Sequence, residues 1–198
     1  GMMANSYKNH AEWEKAEFCY CRALAFAHRF TGPQSLHISH FYDALAELHR
    51  AQGDLPHAQA LYQRALQVIE TVLGTAHPEV ATYLNNLAEL LRVQGKLLEA
   101  EPMYKRALAI DERAQGTSHP IIAIRLNNLA ELFRDRGLLE EAEPLYQRAL
   151  AIDMAALGAN HPNIATYLNN LAGLYKSREL WDKAAEHYTR AIAIDERA

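Results

Sequence analysis

The sequence predicts an all-α solenoid in which antiparallel helix hairpins stack at a period of 42 residues. His-Pro pairs that begin at His77, His119 and His161 recur at this spacing. Two glycine series keep the same step and bound segments of helical length: Gly32, Gly74, Gly116 and Gly158, and Gly53, Gly95 and Gly137. A fixed period of this size is typical of repeat architectures, so each period is expected to form one structural unit.

Each repeat is predicted to contain two helices, which we call helix A and helix B. In the repeat that starts at Gly74, helix A spans roughly 79–94 and helix B roughly 97–115. Gly95 and Gly116 end them, as glycine does at helix C-termini. The next His-Pro pair opens the following repeat, because proline at a first helical position loses no hydrogen bond. The histidine is expected to cap the helix or to pack in the loop.

These boundaries predict a single domain of one truncated and four complete repeats. The predicted segments are 1–31 for the truncated repeat, then 32–73, 74–115, 116–157 and 158–198. Met3 aligns with Leu171 inside a helix A, and Trp13 aligns with Trp181 near the start of a helix B. The truncated repeat is therefore expected to hold the end of one helix and most of a second one.

Helix A is predicted to pack against two neighbours. At 100° per residue, Leu84, Leu87, Ala88 and Leu91 fall between about 300° and 40°, and the neighbouring Tyr83 and Leu90 fall near 240–260°. This apolar arc is wider than the ~100° stripe of a helix that packs on a single partner. We therefore expect each helix A to contact its own helix B and the preceding repeat.

Helix B carries several kinds of residue at fixed positions. Alanine occupies two of them: Ala16, Ala58, Ala100, Ala142 and Ala184, and Ala23, Ala65, Ala107, Ala149 and Ala191. Such small residues let helices approach closely, and a larger side chain would overpack. Tyr104 and its equivalents add bulk, and Arg106 and its equivalents are expected to pair with an acid of a neighbouring helix. Pro102 and Pro144 lie near the helix start, where they are either tolerated in the first turn or bend the helix.

These residues resemble the tetratricopeptide repeat. The small position in helix A (Ala88), the helix B alanines (Ala100 and Ala107) and the aromatic residue between them (Tyr104) match its pattern. The strings LNNLAELLRVQGKLLEAEPMYKRALAI and GTSHP are similar to repeats of kinesin light chains and their bacterial relatives. The resemblance implies a right-handed superhelix and a protein-binding module. Since no heptad stretch is present, attachment to a motor is not implied.

The resemblance also implies a peptide-binding groove on the polar side of the A helices, which we call the polar face. Three rows of side chains are carried over to it: Asp43, Asn85, Asn127 and Asn169; Glu47, Glu89 and Glu131, interrupted by Gly173; and Arg50, Arg92, Arg134 and Lys176. The edge of the face is predicted at His40, Thr82, Ile124 and Thr166. Asparagine can pair with a peptide backbone in either direction, and arginine holds carboxylates bidentately.

Two features of this face have alternative interpretations. The second asparagine of each pair, at Asn86, Asn128 and Asn170, lies near 200° on the wheel and contacts either a ligand or a neighbouring helix. Each glutamate of the face stands three residues before an arginine in the second and third complete repeats. These pairs either leave the arginines available for an acidic ligand or neutralise each other on a solvated surface.

The composition favours none of the other function classes. With a net charge of -4 and no polybasic run, the chain is not expected to bind nucleic acid or a membrane surface. No catalytic motif, cofactor motif or cysteine cluster is present. His37 and His40 share a helix face without an evident third metal ligand. Cys19 and Cys21 are badly placed to pair and are expected to be small apolar fillers.

We therefore predict a non-catalytic, cytoplasmic scaffold without metal or cofactor. Its ligand is expected to be an extended and partly acidic peptide segment of another protein, bound in the groove. The alternative is a self-assembly module of a larger protein, which would form homo-oligomers through its terminal repeats. This alternative is based on Ile192 and Ile194, which no polar capping helix follows, although terminal repeats normally need one.

Overall fold

The computed structural model describes residues 2–30, 32 and 35–196, with side chains from Trp13 onward. This part of the chain is all α-helical and contains nine helices and no strand. It forms two compact halves, residues 1–94 and 95–198. The first half contains α1 (Met2–Phe30), α2 (Leu36–Ala51), α3 (Leu55–Leu73) and α4 (Pro78–Val93). The second contains α5 (Leu97–Gln115), α6 (Pro120–Asp135), α7 (Leu139–Leu157), α8 (Pro162–Ser177) and α9 (Trp181–Asp195).

The helix boundaries agree with the repeat pattern. The helix predicted over 97–115 is observed as α5, and the one predicted over 79–94 begins and ends one residue earlier, as α4. Of the two roles expected for the junction histidines, the structure shows capping. Nδ1 of His77 accepts a hydrogen bond from the backbone N–H of Glu79 at 3.2 Å. His119 and His161 cap α6 and α8 in the same way, at 3.3 and 3.2 Å.

The truncated repeat differs from its predicted form. A break between two helices was expected before Trp13, but α1 runs unbroken from Met2 to Phe30. The glycine that separates helix A from helix B in the next three repeats has no counterpart here, because Ala11 stands at that position. The cysteine prediction was also wrong: Cys19 and Cys21 are both exposed on α1 rather than buried as fillers.

Packing within the halves confirms that an A helix needs two neighbours. In the second half, α6 contacts α5 and α7, and α8 contacts α7 and α9. On one side of α6, Ile122 and Leu126 pack with Ala149 and Ile152 of α7. The alanines predicted at the helix crossings are buried in the complete repeats, as are Tyr62, Tyr104 and Tyr146. Small and large residues therefore alternate in the helix contacts as the sequence predicts.

The structure shows how the prolines and the arginine series of helix B are accommodated. Pro102 and Pro144 each lie at the sixth position of their helix, one turn further in than expected, and both helices continue past them. The residues four positions earlier, Leu98 and Glu140, are exposed, so water can satisfy the carbonyl groups that the prolines leave without a donor. Arg148 donates to Glu112 of the preceding helix B at 2.6 Å, as expected for this arginine series, whereas Arg190 of the same series donates to Sδ of Met154 at 3.6 Å.

The sequence analysis missed a buried ion pair between α5 and α6. Nε of Arg125 donates to Oδ2 of Asp111 at 2.8 Å, and both side chains are almost completely buried. Ile69 and Tyr83 occupy the equivalent positions one repeat earlier. Apolar and aromatic side chains are thus compatible with this junction, and the charged pair is not needed to build it.

We predict that breaking this ion pair is far more costly than replacing it. The single change Arg125→Ala leaves Asp111 buried without its cation and should lower the free energy of unfolding by about 3–5 kcal/mol. The double change Asp111→Ile with Arg125→Phe supplies two apolar side chains and should lie within about 1–2 kcal/mol of the parent protein. Urea unfolding of both variants measures the difference. Equal destabilisation by the two variants would contradict a buried ion pair.

A second departure from the pattern lies at the end of α8. The residue after the C-cap of helix A is a glycine with positive φ in α2, α4 and α6, whereas Glu179 takes this place with a φ of 58°. The backbone is otherwise alike. The N–H of Leu138 reaches the carbonyl of Phe133 at 2.8 Å, and the N–H of Leu180 reaches the carbonyl of Tyr175 at 2.9 Å. Glu179 therefore carries the strain that glycine avoids in the other repeats.

Exchanging the two residue types should shift stability in opposite directions. We expect Glu179→Gly to stabilise the protein by about 0.5–1 kcal/mol, because the left-handed conformation costs glycine little. Gly137→Glu should destabilise it by about 1–2 kcal/mol through conformation alone, since nothing lies within 4 Å of the added Cβ. Thermal unfolding of the two variants tests the pair, and shifts of the same sign would exclude this explanation.

Candidate functional site

The polar face of the second half is formed by α6 and α8. Thr166, Asn169 and Lys176 are exposed along α8, and Ile124 of α6 is 42% exposed. Asn127 is only 8% exposed, and Glu131 and Arg134 are half-buried. The predicted residues are therefore not equally accessible, and α8 offers more of them to solvent than α6 does.

The first half presents the same rows on α2 and α4. His40 and Arg50 are exposed on α2, and Thr82 is exposed on α4. The remaining predicted residues are half-buried: Asp43, Glu47, Asn85, Glu89 and Arg92. Their limited exposure reflects hydrogen bonds within the face.

The second asparagines connect neighbouring A helices. Nδ2 of Asn170 on α8 donates to Oδ1 of Asn127 on α6 at 2.8 Å. Nδ2 of Asn86 on α4 donates to Oδ1 of Asp43 on α2 at 3.1 Å. Of the two interpretations, the structure thus supports contact with a neighbouring helix for Asn86 and Asn170. These bonds also hold the first-row side chains in place, so the row is preorganised rather than mobile.

The glutamates of the acidic row accept hydrogen bonds from other side chains of the protein. Glu47 accepts from the hydroxyl of Tyr62 on α3, which links helix A to helix B of one repeat. Burial and the Glu47 carboxylate both raise the pKa of Tyr62, so its hydroxyl remains protonated and donates. Glu131 accepts from Nδ2 of Asn127 at 3.0 Å and from Asn170 at 3.4 Å. These carboxylates stabilise the face and are poorly placed to meet a ligand.

The basic row is partly neutralised. Arg92 donates to Glu89 at 2.9 Å, as in the second interpretation of these pairs, and Arg50 donates to Glu47 at 2.6 Å in the same way. Arg134 contacts Asp135 at 3.4 Å rather than Glu131, the partner that this interpretation expected. Lys176 has no ion-pair partner within residues 2–30, 32 and 35–196. The positive charge available to a ligand is therefore concentrated toward the end of α8.

A cavity of about 190 Å³ lies between α6 and α8. It is lined by Ile124, Asn127, Asn163, Thr166 and Tyr167. Buried Asp153 of α7 fixes two of these, because its Oδ2 accepts from the Tyr167 hydroxyl at 2.9 Å and from Nδ2 of Asn163 at 3.1 Å. An apolar side chain thus stands beside oriented amide groups, as is usual in pockets that bind small groups.

Sequence reasoning placed only part of this cavity. Ile124 and Thr166 were predicted at the edge of the polar face and Asn127 in its first row, but Asn163 and Tyr167 were missed. Asn163 stands where earlier repeats have Glu79 and Ile121. This departure from the repeat was the available signal. The hydrogen bonds to Asp153 could not be inferred without knowing that α7 and α8 meet there.

The comparisons with known proteins identify the family. The model of the tetratricopeptide repeat matches three overlapping stretches, residues 37–113, 79–155 and 121–197, which together cover most of the chain. The chain belongs to the tetratricopeptide repeat family. A comparison with curated protein sequences finds no similar protein.

Solved tetratricopeptide repeat structures are similar over nearly the whole chain. BtubC (BKLC) from P. vanneervenii has a TM-score of 0.85 at 28% identity, covering 98% of this chain and 77% of that chain. A kinesin light chain-like protein from Podosopora anserina with nearly identical TPR-like repeats has a TM-score of 0.79 at 20% identity, covering 99% and 93%. A variant of that protein with one substitution has a TM-score of 0.81 at 20% identity, covering 100% and 94%.

Two further observations concern function classes. Within the described part of the chain, no three His, Cys, Asp or Glu side chains are grouped so that they could hold a metal ion. His40 instead stacks on Tyr83, with ring centroids 6.4 Å apart. No described helix combines the length and apolar composition needed to cross a bilayer. Tetratricopeptide repeats generally mediate protein–protein interaction and are generally non-catalytic.

Asp43 is the acidic exception in the first row, and its environment makes it pH-sensitive. Burial raises the pKa of Asp43, the hydrogen bond from Asn86 lowers it, and the Glu47 charge raises it, with a net upward shift. The folded state thus disfavours the carboxylate. This penalty is absent below the ordinary carboxyl pKa and develops as the pH rises through the raised pKa.

We therefore predict that Asp43→Asn raises the melting temperature at neutral pH and has little effect in acid. Asparagine keeps an acceptor for Asn86 and removes the buried charge, and it is the residue found in the other three repeats. Thermal unfolding between about pH 3 and pH 7 measures the difference. The reverse change Asn127→Asp is the matched control and should show the opposite pH dependence. A pH-independent effect of Asp43→Asn would contradict the raised pKa.

Proposed function

We propose that this chain is a protein-binding scaffold whose polar face takes an extended, partly acidic peptide segment of a partner. The observation that carries the proposal is the cavity between α6 and α8, where Ile124 is exposed beside amide groups. An isolated exposed isoleucine needs no explanation, but one at the mouth of a cavity offers a contact for an apolar ligand side chain.

The exposed residues of α8 support backbone recognition next to this contact. Asn169 and Thr166 are exposed, and their side chains provide donors and acceptors for an extended peptide. Each such bond contributes about 0.5–1.5 kcal/mol net, so several must act together with the apolar contact. The fixed amides of Asn127 and Asn170 reduce the entropy that is lost on binding.

A partly acidic ligand is favoured by the charge that remains available. Arg50 and Arg92 already bond to glutamates, whereas Lys176 is exposed and Arg134 makes only a long contact. We infer attraction of acidic side chains near these two residues rather than along the whole row. The scaffold acts without catalysis, metal or cofactor, and we infer a cytoplasmic location and no affinity for nucleic acid or membranes.

A peptide selection tests the proposal. A library of random peptides is selected on the whole chain, and the selected peptides are measured on Ile124→Arg by calorimetry. We expect affinity to fall by about tenfold or more, because a charged side chain blocks the apolar contact in the cavity. Ile192→Arg is the matched control, since Ile192 is 55% exposed on α9 and does not line the cavity. An equal loss of affinity in both variants, or no loss in Ile124→Arg, would reject the polar face as the peptide-binding site.

Self-assembly remains the second candidate, and Ile192 favours it. Leu150, its equivalent in α7, is partly buried against the cluster formed by α8 and α9, whereas Ile192 stays exposed. The expectation that Ile194 would also be exposed was wrong, because it is 4% exposed within the same cluster. Light scattering of the parent protein and of the same two variants tests self-assembly. An oligomer of the parent protein that Ile192→Arg dissociates would support it, and a parent protein that is monomeric at all concentrations would exclude it.

A further inference from the structure

The fourth complete repeat lacks an acidic side chain that the other three have. Gly173 occupies the position of Glu47, Glu89 and Glu131. It lies inside α8, where glycine is less favourable than almost any other residue. There is space for a side chain at this position, because an added Cβ would have only the Tyr188 hydroxyl within 4 Å, at 3.9 Å.

The first complete repeat shows what the equivalent space contains. The carboxylate of Glu47 accepts from the Tyr62 hydroxyl and from Nε and Nη2 of Arg50, at 3.0 and 2.6 Å for the two nitrogens. A phenol and a cation thus hold one carboxylate between them. In the third repeat, the Glu131 carboxylate accepts from two asparagines and is likewise satisfied within the protein.

In the fourth repeat the two donors are present without the carboxylate. Tyr188 is the equivalent of Tyr62, and Lys176 is the equivalent of Arg50. A Cβ at position 173 would lie 3.9 Å from the Tyr188 hydroxyl, so the hydroxyl faces the space. Tyr188 is half-buried, whereas Tyr62 is 1% exposed. Neither the Tyr188 hydroxyl nor the Lys176 ammonium finds an acceptor among the described residues.

We propose that the space beside Gly173, between Tyr188 and Lys176, binds the side-chain carboxylate of an acidic residue in a partner peptide. The inference deepens the proposed function and rests on it. The ligand carboxylate takes the place that Glu47 fills in the first repeat. A charge-assisted bond from Lys176 and a neutral one from Tyr188 supply the recognition. Asn169, exposed one turn earlier on α8, is placed to bond the peptide backbone alongside.

The spacing along α8 sets the expected position of the acidic residue. From Thr166 at the cavity to Gly173 the helix rises about 10 Å, at 1.5 Å per residue. An extended peptide covers this distance in about three residues, at roughly 3.3 Å each. The ligand is therefore expected to carry its acidic residue about three positions from the side chain that contacts Ile124.

The binding test uses a minimal probe, glutamate capped as its N-acetyl α-amide, and its glutamine counterpart. Titration into the whole chain, followed by amide NMR, should give saturable shifts at Gly173 and Asn169 with the glutamate probe only. Gly173→Glu should abolish these shifts, because its own carboxylate occupies the donors. Gly173→Ala should retain them, since a methyl group 3.9 Å from the hydroxyl is in ordinary contact. Shifts that persist in Gly173→Glu, or their absence in the parent protein, would overturn the site.

A stability measurement provides an independent readout. Gly173→Glu, Gly173→Gln and Gly173→Ala all remove an interior glycine and should raise Tm by about 2–4 °C. Gly173→Glu should gain a further increment over Gly173→Gln that shrinks at high salt, because only the carboxylate pairs with Lys176. An equal Tm for the two at low salt would show that the donors do not converge on the space.

Peptide binding distinguishes a failure of the carboxylate site from a failure of the proposed scaffold function. In peptides selected from the library, with both termini capped, replacing Glu by Gln should weaken binding by roughly tenfold on the parent protein and not on Gly173→Glu. Selected peptides that depend on Ile124 but not on a glutamate would overturn the carboxylate site and leave the scaffold function intact. Saturable binding of the glutamate probe without any selected peptide would support the site and reject the scaffold function.

Discussion

The second half depends on the burial of its A helices, α6 and α8, on two sides. The apolar residues of such a helix cover too broad an arc for one neighbour, so helix A must contact the helix B of its own repeat and that of the preceding repeat. In α8 this requirement is met by α7 and α9, with Leu168 and Ile164 inside the contact. Only the polar arc remains exposed. The position of the polar face is thus a consequence of packing, independent of whether a ligand binds.

This constraint explains why most of the predicted groove residues bond to the protein itself. Neighbouring A helices bring their polar arcs side by side, and half-buried amides and carboxylates there must find partners. Asn170 donates to Asn127, and Asn86 donates to Asp43. Repetition aligns these side chains for structural reasons. A binding site should therefore be sought where a repeat departs from the pattern, as at Asn163 and Gly173, rather than where it conforms.

Much of the fold could be predicted because the same sequence pattern recurs in each repeat. The helix ends follow from glycine and His-Pro pairs, and the burial of Ala100 and Ala107 follows from their regular spacing. The prediction of a break in α1 was wrong because it was carried over from the complete repeats to a segment that lacks the glycine. The Asp111–Arg125 pair was missed because each residue looked like an isolated exception. Only the contact between α5 and α6 shows that the two exceptions compensate each other.

The candidate site was predicted less well for a related reason. The helical wheel places a side chain on a face but does not say which hydrogen bonds it makes. Arg50 and Arg92 lie in the predicted rows, yet each forms an ion pair with a glutamate, so little of their positive charge is available to a ligand. Conversely, Asn163 and Tyr167 belong to the cavity because Asp153 orients them from another helix. Three-dimensional contacts decided which members of the predicted rows are accessible.

The glycine in α8 has a consequence for how such a chain can acquire new specificity. Its neighbours Ala172 and Leu174 are fully buried, and adjacent residues on a helix do not face each other. A single substitution thus separates a repeat whose glutamate accepts from its own tyrosine from one whose Tyr188 hydroxyl and Lys176 ammonium have no acceptor among the described residues. Recognition can then evolve by deleting a side chain, while the interior that keeps the solenoid folded stays the same.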